Sequence, residues 1–351
     1  MKELENDGIE LCSINPDDDA QMDALCHFFQ NNRPRNNRCT FRPIPSKEFI
    51  KWCLTPPGFD KSLYLAITGT DCKELGGSIV GFTWSIPATL LCGERYLTCH
   101  ITDLLCTHKD DRAFDFLIDR LKGGTTICTR PSLGGSVGMN VISRGNLWQR
   151  YINVPKLIDV GYIRVEPMYR RNAFIASHNL PNSYDGFRPM SPVDVFQVMG
   201  LINGFLQKFD ASFQYTMREV EHWFLPKPEI NYTYVFVGKG NVITDLVSFV
   251  GNDLSVPESS DLSSPEPNRP SKIKRAHSVI SVANSFGFKN LLVKALGLAK
   301  REGFDLFSIT DHSKSDEILK DLKFFCKGEV PIYGTIDGKW RTSFFPVVNV
   351  A

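Results

Sequence analysis

The stretch Arg218–Val237 has the sequence REVEHWFLPKPEINYTYVFV and predicts a helix followed by a β-strand. The helical part carries Trp223, and the run Tyr232–Val237 consists mostly of aromatic and β-branched residues, which favour a strand. A helix that leads into a strand is typical of a mixed α/β fold. We therefore expect helices and strands to alternate on both sides of this stretch.

The residues before this stretch predict a linker and an opening helix. The linker is Arg188–Pro192, RPMSP, which follows a polar segment. Ser191 is a favourable N-cap and the proline after it suits the first helical position, so a helix is expected over Pro192–Phe209. We place a boundary at this linker, between a first half at residues 1–185 and a second half at residues 186–351.

The order of elements in the second half repeats that of the first. Amphipathic patterns predict helices over Asp23–Gln30 and Asn290–Arg301, and β-rich runs predict strands over Tyr64–Ile67 and Ser78–Trp84. The chain is therefore expected to contain two similar α/β units in tandem. A segment rich in Ser, Pro and acidic residues, 253–272, cannot bury much apolar surface and predicts an exposed loop.

Composition excludes several classes of function. The 351 residues are 42% hydrophobic, enough for a large core, and 40 basic against 39 acidic residues give a net charge of +1. Such a chain has no global field that attracts nucleic acid or an anionic membrane. Its start lacks an apolar signal-type stretch, and no apolar run approaches the roughly 18 residues of a membrane span. We therefore expect a cytoplasmic protein without membrane insertion.

The ten cysteines are expected to be reduced thiols, because a chain of this length without a CxxC pair does not suggest a disulfide framework. Two pairs, Cys99 with His100 and Cys106 with His108, contain side chains that can bind zinc. A second segment with paired ligand spacing is missing, so no metal site is expected.

Several segments resemble, in order and at matching separations, those of the N-myristoyltransferases. The resemblance spans roughly residues 8–351. The segments that carry it are Phe49–Phe59, Val80–Ala88, Leu104–Lys109, Trp148–Val160, Gly186–Met190, Glu219–Pro226, Val242–Phe249, Leu298–Phe307 and Leu322–Phe324. Colinear matches at so many places are hard to reach by chance, and the chain is identified as a divergent member of this family.

The resemblance implies a tandem GNAT-like fold, the fold of acyl-CoA N-acyltransferases, with two pseudo-symmetric halves around a twisted mixed sheet. The first half is expected to bind acyl-CoA and the second to bind peptide. The implied activity is transfer of a myristoyl group from myristoyl-CoA, a co-substrate, to the N-terminal glycine of client proteins. We expect a monomer with no permanently bound cofactor and no nucleic-acid partner.

The implied chemistry is attack of an amine on a thioester, which needs a neutral amine and a stabilised oxyanion. In the family, the backbone N–H groups of a Phe-Leu pair form the oxyanion hole, and Leu104 and Leu105 stand there in this sequence. Backbone donors tolerate a change of side chain, so we expect this role to persist. Asp103 replaces a family asparagine that contacts the substrate amine. An aspartate would bind the ammonium more tightly and resist its deprotonation; a solvated carboxylate is the alternative.

The family's base is the terminal carboxylate of the chain, which corresponds here to that of Ala351. A carboxylate with a pKa of about 3.5 is a weak base for an ammonium with a pKa of about 8 unless it is desolvated. The apolar residues that precede Ala351 favour such an environment. An ordinary closing strand with an exposed end is the alternative.

The expected phosphate-binding loop is shortened in this chain. The family has a basic run here that opens a helix and suits the phosphates of coenzyme A. This chain has His108–Phe114, in which Lys109 and Arg112 remain as the expected phosphate ligands while Asp110 and Asp111 add repulsion. We expect weaker binding of coenzyme A.

The elements that would read the peptide also differ. An acidic family loop corresponds to the basic segment Asn31–Arg38 with Arg33 and Arg35, which favours acidic peptide residues. A solvated surface turn is the alternative interpretation of this segment.

Gln149 replaces a family histidine, and Phe325–Glu329 replaces a glycine-rich loop; both family elements read a serine in the peptide. Ser278 is retained and is expected to hydrogen-bond the peptide. Its neighbour His277 and the well-matched His222 fit structural roles better than chemical ones.

Three functions remain open at this stage. The leading hypothesis is an active acyltransferase with altered peptide choice. The second is a catalytically degenerate relative that binds a peptide or an acyl group without turnover. The third is a tandem acetyltransferase-like enzyme that uses a shorter acyl-CoA, since the fold alone does not determine acyl length.

Overall fold

The computed structural model describes residues 9–31, 41–69, 79–106, 126–128, 139–166, 170–181, 184–255, 272–311, 315–335 and 342–343. The helices are α1 (Asp19–Asn31), α2 (Lys47–Leu54), α3 (Val154–Asp159), α4 (Arg171–Ser177), α5 (Val195–Leu206), α6 (Met217–Phe224), α7 (Phe288–Arg301) and α8 (Asp316–Asp321). The strands are β1 (Ile9–Ser13), β2 (Arg42–Pro43), β3 (Leu65–Gly69), β4 (Ile79–Cys92), β5 (Arg95–Cys106), β6 (Thr126–Cys128), β7 (Asn140–Tyr151), β8 (Phe187–Pro189), β9 (Ala211–Phe213), β10 (Asn231–Val237), β11 (Ile243–Gly251), β12 (Leu254–Ser255), β13 (Lys272–Ile273), β14 (Arg275–Ala283), β15 (Leu306–Asp311), β16 (Phe325–Gly334) and β17 (Thr342–Ser343).

Most strands form one continuous mixed sheet in the order β1-β3-β4-β5-β6-β16-β7-β15-β14-β11-β10-β8. Along this path, neighbours pair antiparallel except at two places, where β5 pairs with β6 and β14 pairs with β15 in parallel. Off this path, β9 pairs antiparallel with the last residues of β4, and β17 pairs in parallel with β9.

The strand order is symmetric about its centre. In each half, three strands pair antiparallel in succession, and the third of them pairs in parallel with a fourth. These strands are β3, β4, β5 and β6 in the first half, and β10, β11, β14 and β15 in the second. A pair of helices precedes the three strands, α1 and α2 in the first half and α5 and α6 in the second. The predicted tandem GNAT-like arrangement of two similar α/β units is confirmed.

The symmetry extends to individual residues. Gly81 of β4 pairs with Ile67 immediately before a β-bulge, and Asp245 of β11 pairs with Phe236 immediately before the corresponding bulge. Each of them also forms the end pair of the next ladder. Gly81 pairs with Cys106 at the end of the ladder between β4 and β5, and Asp245 pairs with Ala283 at the end of the ladder between β11 and β14. These two residues therefore occupy matched positions in the two halves.

Each half contributes its last strand to the other. β7 pairs with β15 of the second half, β16 pairs with β6 of the first half, and β7 and β16 pair with each other at the centre. The sheet is thus continuous across the boundary that we placed between residues 185 and 186, and the division at that point stays a prediction.

The linker predicted over Arg188–Pro192 is correct only in part, because Arg188 and Pro189 belong to strand β8, which pairs with β10. The helix expected over Pro192–Phe209 begins with a 3-10 turn and continues as α5 to Leu206. Ser191 donates from its N–H and its hydroxyl to one oxygen of Asp194, both at 2.8 Å. Arg188 donates to both oxygens of the same carboxylate at 2.6 and 2.8 Å, which is the main reason that the pKa of Asp194 is lowered to about 2.

Two of the clusters of buried side chains lie on opposite faces of the sheet. Leu246 and Val247 are adjacent in β11 and both are fully buried, but they belong to different clusters of buried side chains. Successive side chains of a strand point to opposite faces, so the clusters lie on opposite sides of the sheet. One cluster includes residues of α1, α2, α5 and α6, and the other is built on α7.

The segment 253–272, predicted as an exposed loop, has strand residues at both of its ends. At its ends, β12 and β13 pair antiparallel, and β12 also pairs with β2 of the first half. Leu254 and Ile273 are buried, because this small sheet covers part of the core. Residues 256–271 lie outside the described ranges.

The helices α2 and α6 join the two halves through a reciprocal contact. The Trp52 indole N–H donates to the backbone oxygen of His222 at 2.8 Å, and the His222 Nε2 lies 2.9 Å from the backbone oxygen of Trp52. Trp223 packs edge-on against Trp52 with ring centroids 5.0 Å apart. Burial lowers the pKa of His222 to about 4. These contacts agree with the structural role that was expected for His222, because it packs α6 against α2.

Candidate active site

The open edge of β5 follows from its pairing with β4. A two-residue turn joins these strands, and pairs along such a hairpin alternate between those that exchange both backbone hydrogen bonds and those that exchange none. The pair Cys92–Arg95, next to the turn, exchanges them. Counting from there places Pro87 and His100 in a pair that exchanges none, as a proline without an N–H requires.

The same count separates Leu104 from Leu105. Leu104 pairs with Thr83 in a non-bonded position, so the Leu104 N–H points away from β4, towards the side of β6. Leu105 pairs with Phe82 in a bonded position, so the Leu105 N–H donates to β4. Within the described ranges, β6 pairs with β5 no further than Ile101. The Leu104 N–H therefore lies at an edge where no described strand accepts it.

The other residues predicted for the reaction can be placed only in part. Asp103 lies on β5, where it pairs with Trp84. Arg33 and Arg35 lie outside the described ranges. The same holds for the expected phosphate ligands Lys109 and Arg112 and for Ala351. Their roles stay predictions.

The second half has a polar row on one face of the sheet. His277 pairs with Ser308, which pairs with Gln149, which pairs with Phe325. Directly paired residues share a face, so these four side chains lie side by side on four neighbouring strands. The row crosses from β14 to β16, where strands of both halves meet.

His277 is held neutral within this row. The Ser308 hydroxyl donates to the backbone oxygen of Ala276 at 3.1 Å and lies 2.9 Å from the His277 Nδ1. Because the hydroxyl proton is used, Nδ1–H is the donor to Ser308 and Nε2 is left as an acceptor nitrogen. Burial and, secondarily, the Arg275 cation lower the pKa of His277 to about 3.

Gln149 is almost fully buried, with 3% of its surface exposed. Its side-chain oxygen accepts a hydrogen bond from the Tyr162 hydroxyl at 2.8 Å. Gly161, with a φ of 77°, ends α3 in the left-handed conformation that glycine adopts readily, and Tyr162 follows it. Among the described residues no hydrogen-bond partner is found for the Gln149 amide nitrogen, and its predicted contact with a peptide stays a prediction.

The segment Phe325–Glu329, which replaces a glycine-rich loop of the family, is the first part of β16. It pairs with β7 through a bulge between Cys326 and Gly328. The bulged residue Lys327 places its Nζ 5.5 Å from the ring centre of Tyr162 and 5.4 Å from that of Phe325. A cation thus lies next to the polar row, a position that the sequence alone did not indicate.

Ser278 lies on β14 opposite Phe249 of β11 and is buried, with 8% of its surface exposed. The ladder between β14 and β15 ends at His277, one residue before it. From Ser278 onward, β14 no longer pairs with β15. In the described residues of the first half, β5 likewise no longer pairs with β6 from Thr102 onward. Its predicted contact with a peptide is untested.

Another matched segment holds the halves together. Asn153 and Lys156 both donate to the Asp305 carboxylate, at 2.9 and 2.6 Å, and the Lys274 backbone N–H donates to it at 2.8 Å. Asp305 is 2% exposed. The segment around α3 is therefore an anchor to the second half.

Neither a metal cluster nor a spanning helix is found in the part of the chain that the structure describes. No three His, Cys, Asp or Glu side chains come together there as metal ligands. No helix in those ranges is both long enough and apolar enough to cross a bilayer.

Fold and site together define a class of protein. Two α/β units share one sheet, each has a short parallel ladder, and in the first unit a backbone donor lies where that ladder opens. This is the arrangement of a tandem acyl-CoA N-acyltransferase fold.

The particular family follows from comparison of the whole chain. Residues 2–117 match the model "Myristoyl-CoA:protein N-myristoyltransferase, N-terminal domain", and residues 159–332 match that of the C-terminal domain. Together the two matches cover well over half of the chain. The chain belongs to the N-myristoyltransferase family, as the sequence resemblance implied.

Relatives and solved structures agree with this assignment. Glycylpeptide N-tetradecanoyltransferase 1 of Arabidopsis thaliana is 29% identical over 322 residues, covering 89% of this chain and 71% of the relative. The glycylpeptide N-tetradecanoyltransferase of Candida albicans is 26% identical over 337 residues, covering 90% and 72%. Saccharomyces cerevisiae N-myristoyltransferase with bound myristoyl-CoA has a TM-score of 0.78 at 20% identity, covering 93% of this chain and 82% of that one. The structural likeness shows the fold.

Proposed function

We propose that this protein transfers a myristoyl group from myristoyl-CoA to the N-terminal glycine of other proteins. Its membership of the family supports the reaction class and the co-substrate. The observation that carries the proposal is the Leu104 N–H, directed to the open edge of β5 in the strand where the family has its oxyanion donors. A backbone donor at that place suits a thioester oxygen.

In the proposed reaction, the glycine nitrogen attacks the thioester carbonyl carbon. The carbonyl oxygen becomes an oxyanion, the C–S bond breaks, an amide forms and coenzyme A leaves with its sulfur protonated. Leu104 donates to the oxyanion as the pairing stands. Leu105 becomes a second donor only if its peptide group turns away from Phe82, so two convergent donors require a local change in β5.

The Ala351 carboxylate is the proposed base, and the direction of β17 supports it. β17 runs parallel to β9, and β9 runs antiparallel to β4, so Ser343 lies at the level of Leu91 and the chain heads towards Thr83. Ala351 is eight positions after Ser343 in the sequence, and Leu91 is eight positions after Thr83. At about 3.3 Å per extended residue, the remaining chain is long enough to bring Ala351 to the level of Thr83, the partner of Leu104.

Myristoyl-CoA is held, in this proposal, by Lys109 and Arg112 at its phosphates. Two cations match fewer phosphate charges than a longer basic run, which predicts modest affinity. Asp103 attracts the glycine ammonium towards β5, and proton removal falls to Ala351.

The peptide is proposed to lie along the polar row, with Gln149 as a hydrogen-bonding group. Ser278 follows His277 on β14 and points to the other face of the sheet, and its proposed contact with the peptide lies beyond the end of the ladder between β14 and β15. Lys327 and the segment with Arg33 and Arg35 add positive charge. Acidic residues after the glycine are therefore the favoured peptide class. We further propose that the protein acts as a cytoplasmic monomer. We also propose that it has no nucleic-acid partner, because a net charge of +1 gives no general attraction to nucleic acid.

The test is incubation of the purified protein with labelled myristoyl-CoA and a library of peptides that begin with glycine. Leu104→Pro removes a donor from the open edge and is expected to lower kcat about 10²- to 10³-fold with little change in Tm. Leu105→Pro is the matched control, because it removes a bond to β4 and is expected to lower Tm. Deletion of the last residues is expected to abolish transfer.

Unchanged turnover in a folded Leu104→Pro variant would remove the oxyanion role from this residue. Full transfer after truncation would remove the base from Ala351. A protein that binds neither acyl-CoA nor peptide would be a relative that has kept the fold without the reaction.

A further inference from the structure

The loop between β14 and α7 surrounds a carboxylate. The backbone N–H groups of Asn284, Ser285 and Phe286 all donate to one oxygen of Asp245, at 3.0, 3.0 and 3.1 Å. Its other oxygen accepts from the Ser285 hydroxyl and, at 2.7 Å, from the Thr244 hydroxyl. Consecutive N–H groups that converge on one point form an anion-binding nest of the kind that holds phosphate groups.

Asp245 is an anion sealed inside this nest. Its side chain is fully buried, with 0% exposed. Burial by itself raises the pKa of a carboxyl group, but hydrogen bonds from Ser285, Thr244 and the backbone of Phe286 and Ser285 outweigh it, so the pKa of Asp245 is below its usual value. The nest is therefore filled by a negative charge that belongs to the chain.

The helix that follows the nest has no acidic residue of its own in its first turn. α7 begins at Phe288, and its N-cap is Gly287. The positive end of a helix favours an anion, and the Asp245 carboxylate lies in the loop directly before it.

In the first half, the matched position carries no side chain. Gly81 stands before the same bulge and at the same terminal pair as Asp245. Gly81 pairs with Cys106, the last residue of β5, and Asp245 pairs with Ala283, the last residue of β14. The side chain that fills the nest is thus present in one half and missing from the other.

We propose that the loop Asn284–Phe286 is a phosphate-type anion site that the chain occupies with its own Asp245, which closes this loop to other anions. The statement about the loop stands on the hydrogen bonds alone. The consequence, that the phosphates of acyl-CoA do not bind at this loop, rests on the proposed function.

The test replaces Asp245 with the residue of the matched position. Asp245→Gly empties the nest, and formate or inorganic phosphate is then titrated while Tm is followed by circular dichroism and binding by calorimetry. We expect a Tm below that of the unchanged protein in chloride, and a saturable rise in Tm of several degrees as the anion binds. The unchanged protein is expected to show no such rise at equal ionic strength.

Two variants control for shape and for the loss of a donor. Asp245→Asn fills the nest with a neutral group of the same size, so a lower Tm without anion rescue is expected. Ser285→Ala keeps the carboxylate and removes one donor, and it is also expected to show no rescue.

A folded Asp245→Gly variant that binds neither formate nor phosphate would overturn the proposal, as would an equal anion effect on the unchanged protein. If the glycine variant unfolds in chloride, refolding in formate at matched ionic strength decides: recovery supports the site and no recovery overturns it. None of these readouts uses acyl-CoA or turnover, so their failure leaves the proposed transferase activity untouched, and an inactive wild-type protein leaves the anion site untouched.

Discussion

At matched positions before the same β-bulge, the first half has Gly81 and the second half has Asp245. Two pairs further along the corresponding ladders, the first half has Leu104 opposite Thr83 and the second half has Ser281 opposite Val247. The backbone pairing is the same at both places, while the side chains are not. A duplicated framework can therefore keep one half open for a ligand and fill the equivalent space in the other.

The comparison also shows that the halves depend on each other. β7 and β16 cross over, the Trp52 and His222 backbones exchange bonds with each other's side chains, and Asp305 binds Lys156 of the first half. Side chains at matched positions differ between the halves, whereas the contacts that join the halves are hydrogen bonds and an ion pair between buried or half-buried groups. The following changes test this distinction, from the largest expected effect to the smallest.

Asp305→Asn is expected to have the largest effect on stability. It removes the charge that is paired with Lys156 at 2.6 Å, and Asp305 is buried to 2% exposure. Removing one partner of a buried pair leaves the other charge uncompensated, so the free energy of unfolding should fall by about 3 kcal/mol. Urea unfolding of the full chain measures the loss.

The control for this change is Asp321→Asn, which removes an exposed ion pair with Lys289. Exposed pairs contribute little, so a loss below about 1 kcal/mol is expected. Equal losses in the two variants would mean that the contact between the halves has no special weight.

Gly81→Asp gives the first half the carboxylate of the second. Gly81 pairs with Cys106, three residues before the proposed phosphate ligand Lys109, so we expect the new negative charge to weaken binding of the phosphates of coenzyme A. The dissociation constant of myristoyl-CoA should rise about tenfold or more, or about 1.4 kcal/mol. Calorimetry with myristoyl-CoA measures this change. Gly81→Asn has the same shape without the charge and should have the smaller effect. An equal loss in both would point to size rather than charge, and the comparison of the halves at this position would fail.

Ser281→Ala is expected to give the smallest change, and in the stabilising direction. The Ser281 hydroxyl is buried and has no hydrogen-bond partner among the described residues. Removing a buried hydroxyl without a partner should raise the free energy of unfolding by about 1 kcal/mol. Ser248→Ala is the matched control, because the buried Ser248 hydroxyl bonds to that of Thr233 at 2.8 Å, and its loss should lower stability. A loss in both variants would show that Ser281 has a partner after all.

Several of the segments that identified the family contain residues that anchor the structure. Arg188 binds Asp194, Lys156 binds Asp305, and His222 binds the Trp52 backbone. Such segments could be matched from the sequence because a buried charge or a buried imidazole restricts the residue types that can replace it.

The candidate site was less predictable, because it depends on residues that are far apart in the chain. The hydrogen bond between Tyr162 and Gln149 depends on the turn after α3, and Lys327 reaches Tyr162 through a bulge in β16. Nothing in the local pattern indicates which strands meet at the centre of the sheet. The residues expected at the phosphates and at the chain end stay predictions.

The sequence by itself determined the α/β class, the tandem order of helices and strands, the capped helix after Ser191 and the family, because these depend on local periodicity, on capping and on colinear segments. Only the tertiary structure decided the exchange of β7 and β16, the direction of the Leu104 N–H and the enclosure of Asp245 by the loop before α7. The physical reason is that strand register and the convergence of backbone donors are set by hydrogen bonds between distant segments, which no local pattern of residue types contains.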